Sequence, residues 1–493
     1  MRHPPRHALP ALLVACAVSA AALVPLTSAA SAAAPSCSVE YSVTGQWDSG
    51  FQGAVKVTNN GAAKDSWSLS FDFADGQKVT QGWSAKWSQS GTTVTAANES
   101  WNGALASGAS VSAGFIGSWK GANTVPKTFK LNGVTCNEDI TDPTDPTDPT
   151  DPGDGEAPAL KVSGNKLVDA DSGATHRMLG VNRSGAEFMC VQGYGIFDGP
   201  VDDASVKAIA DWKANTVRIP LNEECWLGLD NIKPEYGGAN YRSAIKDLVT
   251  KVKAHGMTPI LELHWSYGQY TGNSAGCSDV HATCQKPMPD AQYTPAFWSS
   301  VASAYKDDPA VTFDLFNEPY PDRATSNVSD AWACWKDGGT CPGIGYEVAG
   351  MQDLVDAIRT AGAGNLILIG GLAYSNDLRQ WLQHKPSDPA GNIAAAYHVY
   401  NFNTCASESC WDEQLAPVAA QVPLVAGEIG ENTCSHGFID RVMKWFDDRD
   451  LSYLGWTWNT WGCASGPSLI SNYDGTPTAF GVGLRDHLQA VTK

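Results

Sequence analysis

Between Thr141 and Pro152 the chain repeats the triplet Thr-Asp-Pro, a stretch from which no compact core can be built. Each proline holds the backbone extended, and unopposed aspartates repel one another and keep it stretched. Residues 138–156 therefore read as a spacer, and its carboxylates as solvated charge. A spacer there divides the 493 residues into two bodies of unequal size, more than one core would hold.

The first residues read as an export signal. Arg2 and Arg6 precede an apolar stretch from Ala8 to Leu26, and small residues follow from Ser28 to Ala34. Pro10, Pro25 and the small-residue end argue against a membrane-spanning helix. Leu13–Cys16 also resembles a lipoprotein cleavage box, but the apolar run continues past Cys16. We take 1–34 as a cleaved signal, and the mature chain as secreted, with no membrane contact. Removing Cys16 from the 13 cysteines leaves an even set, which in an exported chain points to disulfides. Short spacings suggest Cys277–Cys284, Cys334–Cys341 and Cys405–Cys410. Cys37 and Cys136 bracket the first body, and we pair the rest as Cys190–Cys225 and Cys434–Cys463. No spacing forms the paired CxxC pattern of a zinc site, and neither metal nor cofactor is expected.

Residues 35–137 carry short alternating runs, such as Ala54–Thr58 and Trp67–Phe71, separated by turn signals such as Asn59-Asn60-Gly61. That pattern predicts an antiparallel β-sandwich. In residues 157–493 buried runs alternate with helical stretches. The runs are Met178–Asn182, Thr216–Pro220, Pro259–His264, Thr312–Asn317, Leu366–Gly370, Ala395–Tyr400, Leu424–Glu428 and Tyr453–Trp458. Helical segments such as Tyr241–His255, Ala296–Lys306, Val348–Ala361 and Gly437–Asp448 lie between them. The alternation predicts a (β/α)8 TIM barrel, so the chain is multidomain. An open doubly wound sheet would want a glycine-rich phosphate loop after its first strand, and Gly180-Val181-Asn182-Arg183 does not supply one.

Chemistry in such barrels sits at the C-terminal strand ends. Glu318 stands at the end of the fourth run, in Asn317-Glu318-Pro319, and Glu428 at the end of the seventh, so both face one mouth. Two carboxyl groups flanking one bond are what glycoside cleavage requires: one protonates the departing oxygen, the other attacks the anomeric carbon or activates water. The formal net charge of −19 argues against nucleic acid and anionic membranes as partners and is compatible with a neutral glycan. The 18 tryptophans suit flat sugar faces, although large β-rich cores use tryptophan too.

On these residues the second body resembles glycoside hydrolase family 5. Arg218 in Val217-Arg218-Ile219-Pro220, His264 in Leu263-His264-Trp265, Asn317-Glu318, His398 and Tyr400 in Tyr397-His398-Val399-Tyr400, Glu428 and Trp456 fall on strand ends that match the family's functional positions. The resemblance implies a retaining enzyme, with Glu318 as acid/base and Glu428 as nucleophile. It also implies that Arg218 holds Glu428 ionised, that Asn317 contacts the sugar 2-hydroxyl, that Tyr400 donates to the nucleophile and that His398 bonds Glu318. His264 would touch the sugar. Trp456 would stack under the ring, with Trp458 the alternative in the other register and Trp265 a further platform. The long loops Ser266–Thr294, Pro321–Gly345 and Phe402–Trp411 border the cleft.

The first body resembles the family 2 carbohydrate-binding module, through Cys37 and Cys136, Gln46-Trp47, Val57-Thr58-Asn59, Gly82-Trp83, Trp101-Asn102-Gly103 and Leu131-Asn132-Gly133. The resemblance implies a planar strip of Trp47, Trp83 and Trp101 against cellulose; Trp67 belongs to the core. Together the two resemblances imply a monomeric endo-β-1,4-glucanase acting on cellulose or a related β-1,4-glycan. A β-mannanase, another hemicellulase or a mixed-linkage glucanase would share the same fold. A non-catalytic glycan-binding protein is the reading from another class, and the complete set of family residues argues against it.

Overall fold

The computed structural model describes residues 37–136 and 157–491, apart from 48, 121, 122, 124, 127, 275–277, 326 and 465. The expected export signal and spacer lie outside these residues. The chain separates into two units, Met1–Asp148 and Pro149–Lys493.

The first unit is a sandwich of antiparallel sheets. One sheet orders the strands Cys37–Trp47, Gly50–Asn59, Ser110–Ser118 and Lys78–Trp83. The other orders Lys86–Ser90, Thr93–Ala97, Ser68–Asp72, Phe129–Leu131 and Val134–Cys136. Strand alternation sends Phe51, Val55 and Val57 inward while Lys56 faces solvent. The core centres on Phe71 and Phe115, with Trp67 buried among them as expected. The Cys37–Cys136 disulfide joins the ends of the unit.

The second unit is a closed parallel barrel. Its strands, in order, are Leu179–Asn182, Thr216–Asn222, Thr258–Trp265, Thr312–Asp314, Ile367–Gly370, Ile393–Tyr400, Leu424–Gly430 and Ser452–Gly455. The first pairs with the second through Gly180↔Thr216 and with the eighth through Leu179↔Tyr453, which closes the ring. Gly180 is needed there: a Cβ would stand 1.8 Å from the Thr216 carbonyl oxygen. The helices bury one stripe each. Met351–Thr360 turns Met351, Leu354, Val355 and Ile358 inward, and Asp202 caps the helix Asp203–Asp211 by accepting from the Ser205 amide at 2.9 Å.

Two strands end earlier than the sequence predicts. The fourth stops at Asp314 because its onward bonds diverge: the Leu315 amide donates to Leu368 and the Asn317 amide to Leu263, on opposite neighbours. The eighth stops at Gly455. At the strands' N-terminal ends the hairpin Leu160–Ser163/Lys166–Asp169 lays Leu160 and Leu167 against Met178, Ile260, Leu366, Leu368 and Leu454. This apolar layer closes that end of the barrel.

Candidate active site

Above the apolar layer the barrel interior turns charged. Arg218, on the second strand, is completely buried and spends its guanidinium on four side chains. Nε donates to Asp314 at 2.9 Å, Nη1 to Asn182 at 2.9 Å and to Glu428 Oε1 at 3.0 Å, and Nη2 to Asn317 at 3.0 Å. Glu262, two residues before His264 on the third strand, accepts from His264 Nδ1 at 2.9 Å and lies 3.6 Å from Arg218. One cation thus faces three buried carboxylates, those of Glu262, Asp314 and Glu428. Burial raises the Asp314 carboxyl to about 7, with the adjacent guanidinium opposing. Burial works against the charged form of His264, but Glu262, Glu187 and Glu428 outweigh it and raise the imidazole to about 9.

On this floor opens a cavity of about 530 Å³. His264, Asn317, Glu318, Tyr400, Glu428 and Trp456 all line it, so these six expected residues meet in one place. Arg218 and His398 lie directly behind. The Tyr400 hydroxyl donates to Glu428 Oε2 at 2.5 Å, and His398 Nδ1 stands 3.1 Å from Glu318 Oε1 and 3.7 Å from Glu428 Oε2. One oxygen of each carboxylate and a ring nitrogen of His398 lie within 4.8 Å of one another. Burial raises the Glu318 carboxyl above its ordinary value; it lowers the His398 imidazole to about 4. Trp456 stacks on His264 with ring centres 5.5 Å apart and planes 11° apart.

Two of the expected tryptophan platforms do not line this cavity. Trp458 is fully buried, edge-on to Trp212 with ring centres 4.7 Å apart, among Val206 and Ile209 of the helix layer. With the strand ended at Gly455, period-two alternation no longer places Trp456 and Trp458 on one face. Trp265 is partly exposed and does not line the cavity, although its ring centre stands 6.3 Å from that of His264, where the ladder to the second strand shifts register. Of the tryptophans after other strand ends, Trp226 and Trp411 are buried, and Trp461 is exposed beside Phe188.

Several lining residues escaped the sequence reading. Gln285 donates to Glu318 Oε2 at 3.0 Å from a long loop without a motif. Tyr374, Arg323, Phe402 and Asn403 also line the cleft, Phe402 stacked on Tyr400 with ring centres 5.2 Å apart. Glu262 and Asp314 had a signal: each is an acid interrupting an apolar strand.

In the disulfide set, Cys190–Cys225, Cys334–Cys341, Cys405–Cys410 and Cys434–Cys463 are bonded, and Cys277 lies outside the described residues. In the sandwich, Trp83 is 42% and Trp101 71% exposed, while the Trp47 side chain lies outside the described residues. The Trp83 ring lies over Gly114 of the neighbouring strand, where a Cβ would meet it at 2.3 Å.

Comparison with known proteins matches both units. Residues 181–462 fit the model of the cellulase family, glycosyl hydrolase family 5, and residues 37–136 fit that of the cellulose binding domain. Endoglucanase CelA of Streptomyces lividans is 31% identical over 463 residues, covering 91% of this chain and 89% of its own. Exoglucanase A of Cellulomonas fimi is 56% identical over 120 residues, which are 24% of this chain and 14% of that protein. A β-glucanase from Saccharophagus degradans shares the fold, with a TM-score of 0.52 at 21% identity, covering 68% of this chain and 94% of that one. With the family model running from the first barrel strand past the eighth, this chain belongs to glycosyl hydrolase family 5, the cellulases, and carries a family 2 cellulose-binding domain before its barrel.

Proposed function

We propose that the chain is a secreted endo-β-1,4-glucanase that cleaves cellulose chains with retention of anomeric configuration. The observation that carries the retaining reading is the carboxylate spacing. An oxygen of Glu318 and one of Glu428 stand within 4.8 Å, which leaves no room for a water between carboxylate and sugar. Retaining pairs sit about 5–5.5 Å apart and inverting pairs about 6.5–9.5 Å.

In this reading Glu428 attacks the anomeric carbon while Glu318 gives its proton to the departing oxygen, leaving a covalent glycosyl-enzyme. Glu318, now a carboxylate, takes a proton from water, whose oxygen displaces Glu428. Each neighbour has a part. Arg218 and Tyr400 direct N–H and O–H donors at the two oxygens of Glu428 and fix its orientation. Burial favours the protonated Glu318 that the first step needs. His398, with its imidazole pushed down to about 4, is neutral at working pH and adds no positive charge that would pull the proton off Glu318. Asn317 and His264 face the sugar from one side and Trp456 offers it an aromatic face.

Cellulose as substrate is supported by the binding domain and by the name of the Streptomyces lividans relative. Secretion is supported by the sequence of residues 1–34 and by the disulfides. We place the module at 35–137, the spacer at 138–156 and the catalytic barrel at 157–493. The test is Glu428→Gly with azide and an activated aryl cellobioside. A glycosyl azide inverted relative to the substrate is expected, and its absence removes Glu428 as nucleophile. Reducing-sugar release by the wild type from carboxymethyl cellulose, mixed-linkage glucan, xyloglucan and mannan tests the substrate. Faster release from mannan would overturn the glucanase assignment.

A further inference from the structure

Immediately after the fifth barrel strand, Ala373, Tyr374 and Ser375 are all left-handed, with φ of 54°, 62° and 59°. Left-handed backbone is costly for any residue with a Cβ, and non-glycine residues visit it singly, not in runs. Such strain persists where the surroundings over-determine it, and functional sites are where it collects. None of the three positions holds glycine, although Gly370 and Gly371 stand just before them.

The bonds made by this turn run to the segment that carries Glu318. The Ser375 hydroxyl donates to the Asn317 carbonyl at 2.9 Å, in a fully buried setting. The Tyr374 amide donates to the Pro319 carbonyl at 2.9 Å, and the Ala373 amide to Asp322 Oδ1 at 3.0 Å. The Tyr374 ring stacks on Tyr320, with centres 4.7 Å apart and planes 23° apart. Asn376, next in line, donates to the His398 carbonyl at 2.8 Å, and His398 is the residue against Glu318. The fourth strand has lost its regular ladder at Asp314, and beyond it the backbone of Asn317–Pro319 bonds to the barrel strands through the Asn317 amide to Leu263. The strained turn adds to that support.

We propose that the left-handed turn Ala373–Ser375 is a positioning element for the acid/base, holding Glu318 in proton-transfer geometry through Ser375 and the Tyr374 backbone. This rests on the assignment of Glu318 as acid/base. The left-handed backbone aims three successive groups at one segment, which a relaxed right-handed turn could not do. A misplacement of about 1 Å in such a group can cost on the order of a hundredfold in rate.

The test compares Ser375→Ala, Ala373→Gly and Glu318→Ala in the full chain, with aryl cellobiosides of good and poor leaving groups. Ser375→Ala deletes the bond to Asn317. Ala373→Gly keeps every bond and relaxes the backbone. Ser375→Ala should lower kcat about tenfold or more on the poor leaving group, with little change on the good one and in KM, a leaving-group dependence that a merely structural role would not produce. Ala373→Gly, which adopts the left-handed backbone without a Cβ penalty, should keep kcat on both substrates with an unchanged or higher melting temperature. If Glu318→Ala is sensitive to the leaving group and Ser375→Ala is not, the positioning role is overturned while the acid assignment stands. If Glu318→Ala itself is insensitive, the acid assignment has failed. If Ser375→Ala loses activity equally on both substrates in step with lost stability, the turn is structural only and the proposal is overturned.

Discussion

Replacing Glu262 with glutamine removes one negative charge from the cleft floor and keeps its shape. His264 Nδ1 stands 2.9 Å from that carboxylate, and both groups are buried. With charge centres about 4 Å apart and an effective dielectric near 20, the attraction is worth roughly 4 kcal/mol, or about three pH units of titration. That is enough to account for an imidazole raised from 6.5 to about 9 against the opposing effect of burial, with Glu187 and Glu428 adding to it. In Glu262→Gln, His264 should therefore titrate near or below its ordinary value. The stability consequence has a definite sign. A base whose folded value is raised contributes stability that is complete below its unfolded value, here 6.5, and fades as pH rises through about 9. The contribution at low pH amounts to about 3 kcal/mol. The barrel transition of Glu262→Gln should melt about 4–5 °C below wild type at pH 6. The gap should narrow towards pH 9.5, where the wild-type imidazole is also neutral and only the lost attraction between Glu262 and Arg218 remains. Calorimetry at both pH values and NMR titration of the histidine rings provide the readouts. A gap of equal size at both, or a His264 resonance that titrates unchanged, would refute the charge pairing.

Three further outcomes follow from the geometry. Gln285 donates to Glu318 and favours its ionised form, so Gln285→Ala should move the alkaline limb of kcat to higher pH; a limb that stays or moves down would count against Glu318 as the acid. Trp456→Ala should cut kcat/KM sharply with little effect on melting, whereas Trp458→Ala should cost roughly 3–5 kcal/mol of stability and leave the kinetics of the folded fraction alone; the reverse pattern would restore Trp458 to the cleft. Changing Trp47, Trp83 and Trp101 together to alanine should abolish retention on microcrystalline cellulose, each platform contributing roughly 1 kcal/mol or more by analogy with base stacking, while hydrolysis of a soluble glucan is unchanged; retained binding would place the strip elsewhere.

What was legible in the sequence is what local pattern dictates. Short apolar runs separated by helical stripes locate all the barrel strands to within a few residues, because alternation and strand-end position depend on neighbours in sequence. Glu318 and Glu428 meet in one cavity for the same reason, since strand ends of a closed barrel share a mouth. Trp458 misled because the strand stops before it, and that depends on partners elsewhere in the barrel. Glu262 and Asp314 read as interruptions of apolar strands, and only the closed ring reveals that both face Arg218. Gln285 and the turn at Ala373–Ser375 act through contacts made across loops, for which no spacing in the sequence is diagnostic.

The hairpin Leu160–Ser163/Lys166–Asp169 has a topological consequence. It seals the barrel beneath the charged floor, so the cleft has no outlet along the barrel axis at that end. A polymer served by such a cleft is not threaded through the barrel. It lies across the rim, touches bottom at one residue and keeps both of its ends outside. Approach from the rim does not of itself require a chain end, so a bond deep within a long glucan can be reached as well as one near its terminus. After the cut both fragments lift off sideways, without either having to be drawn through the protein.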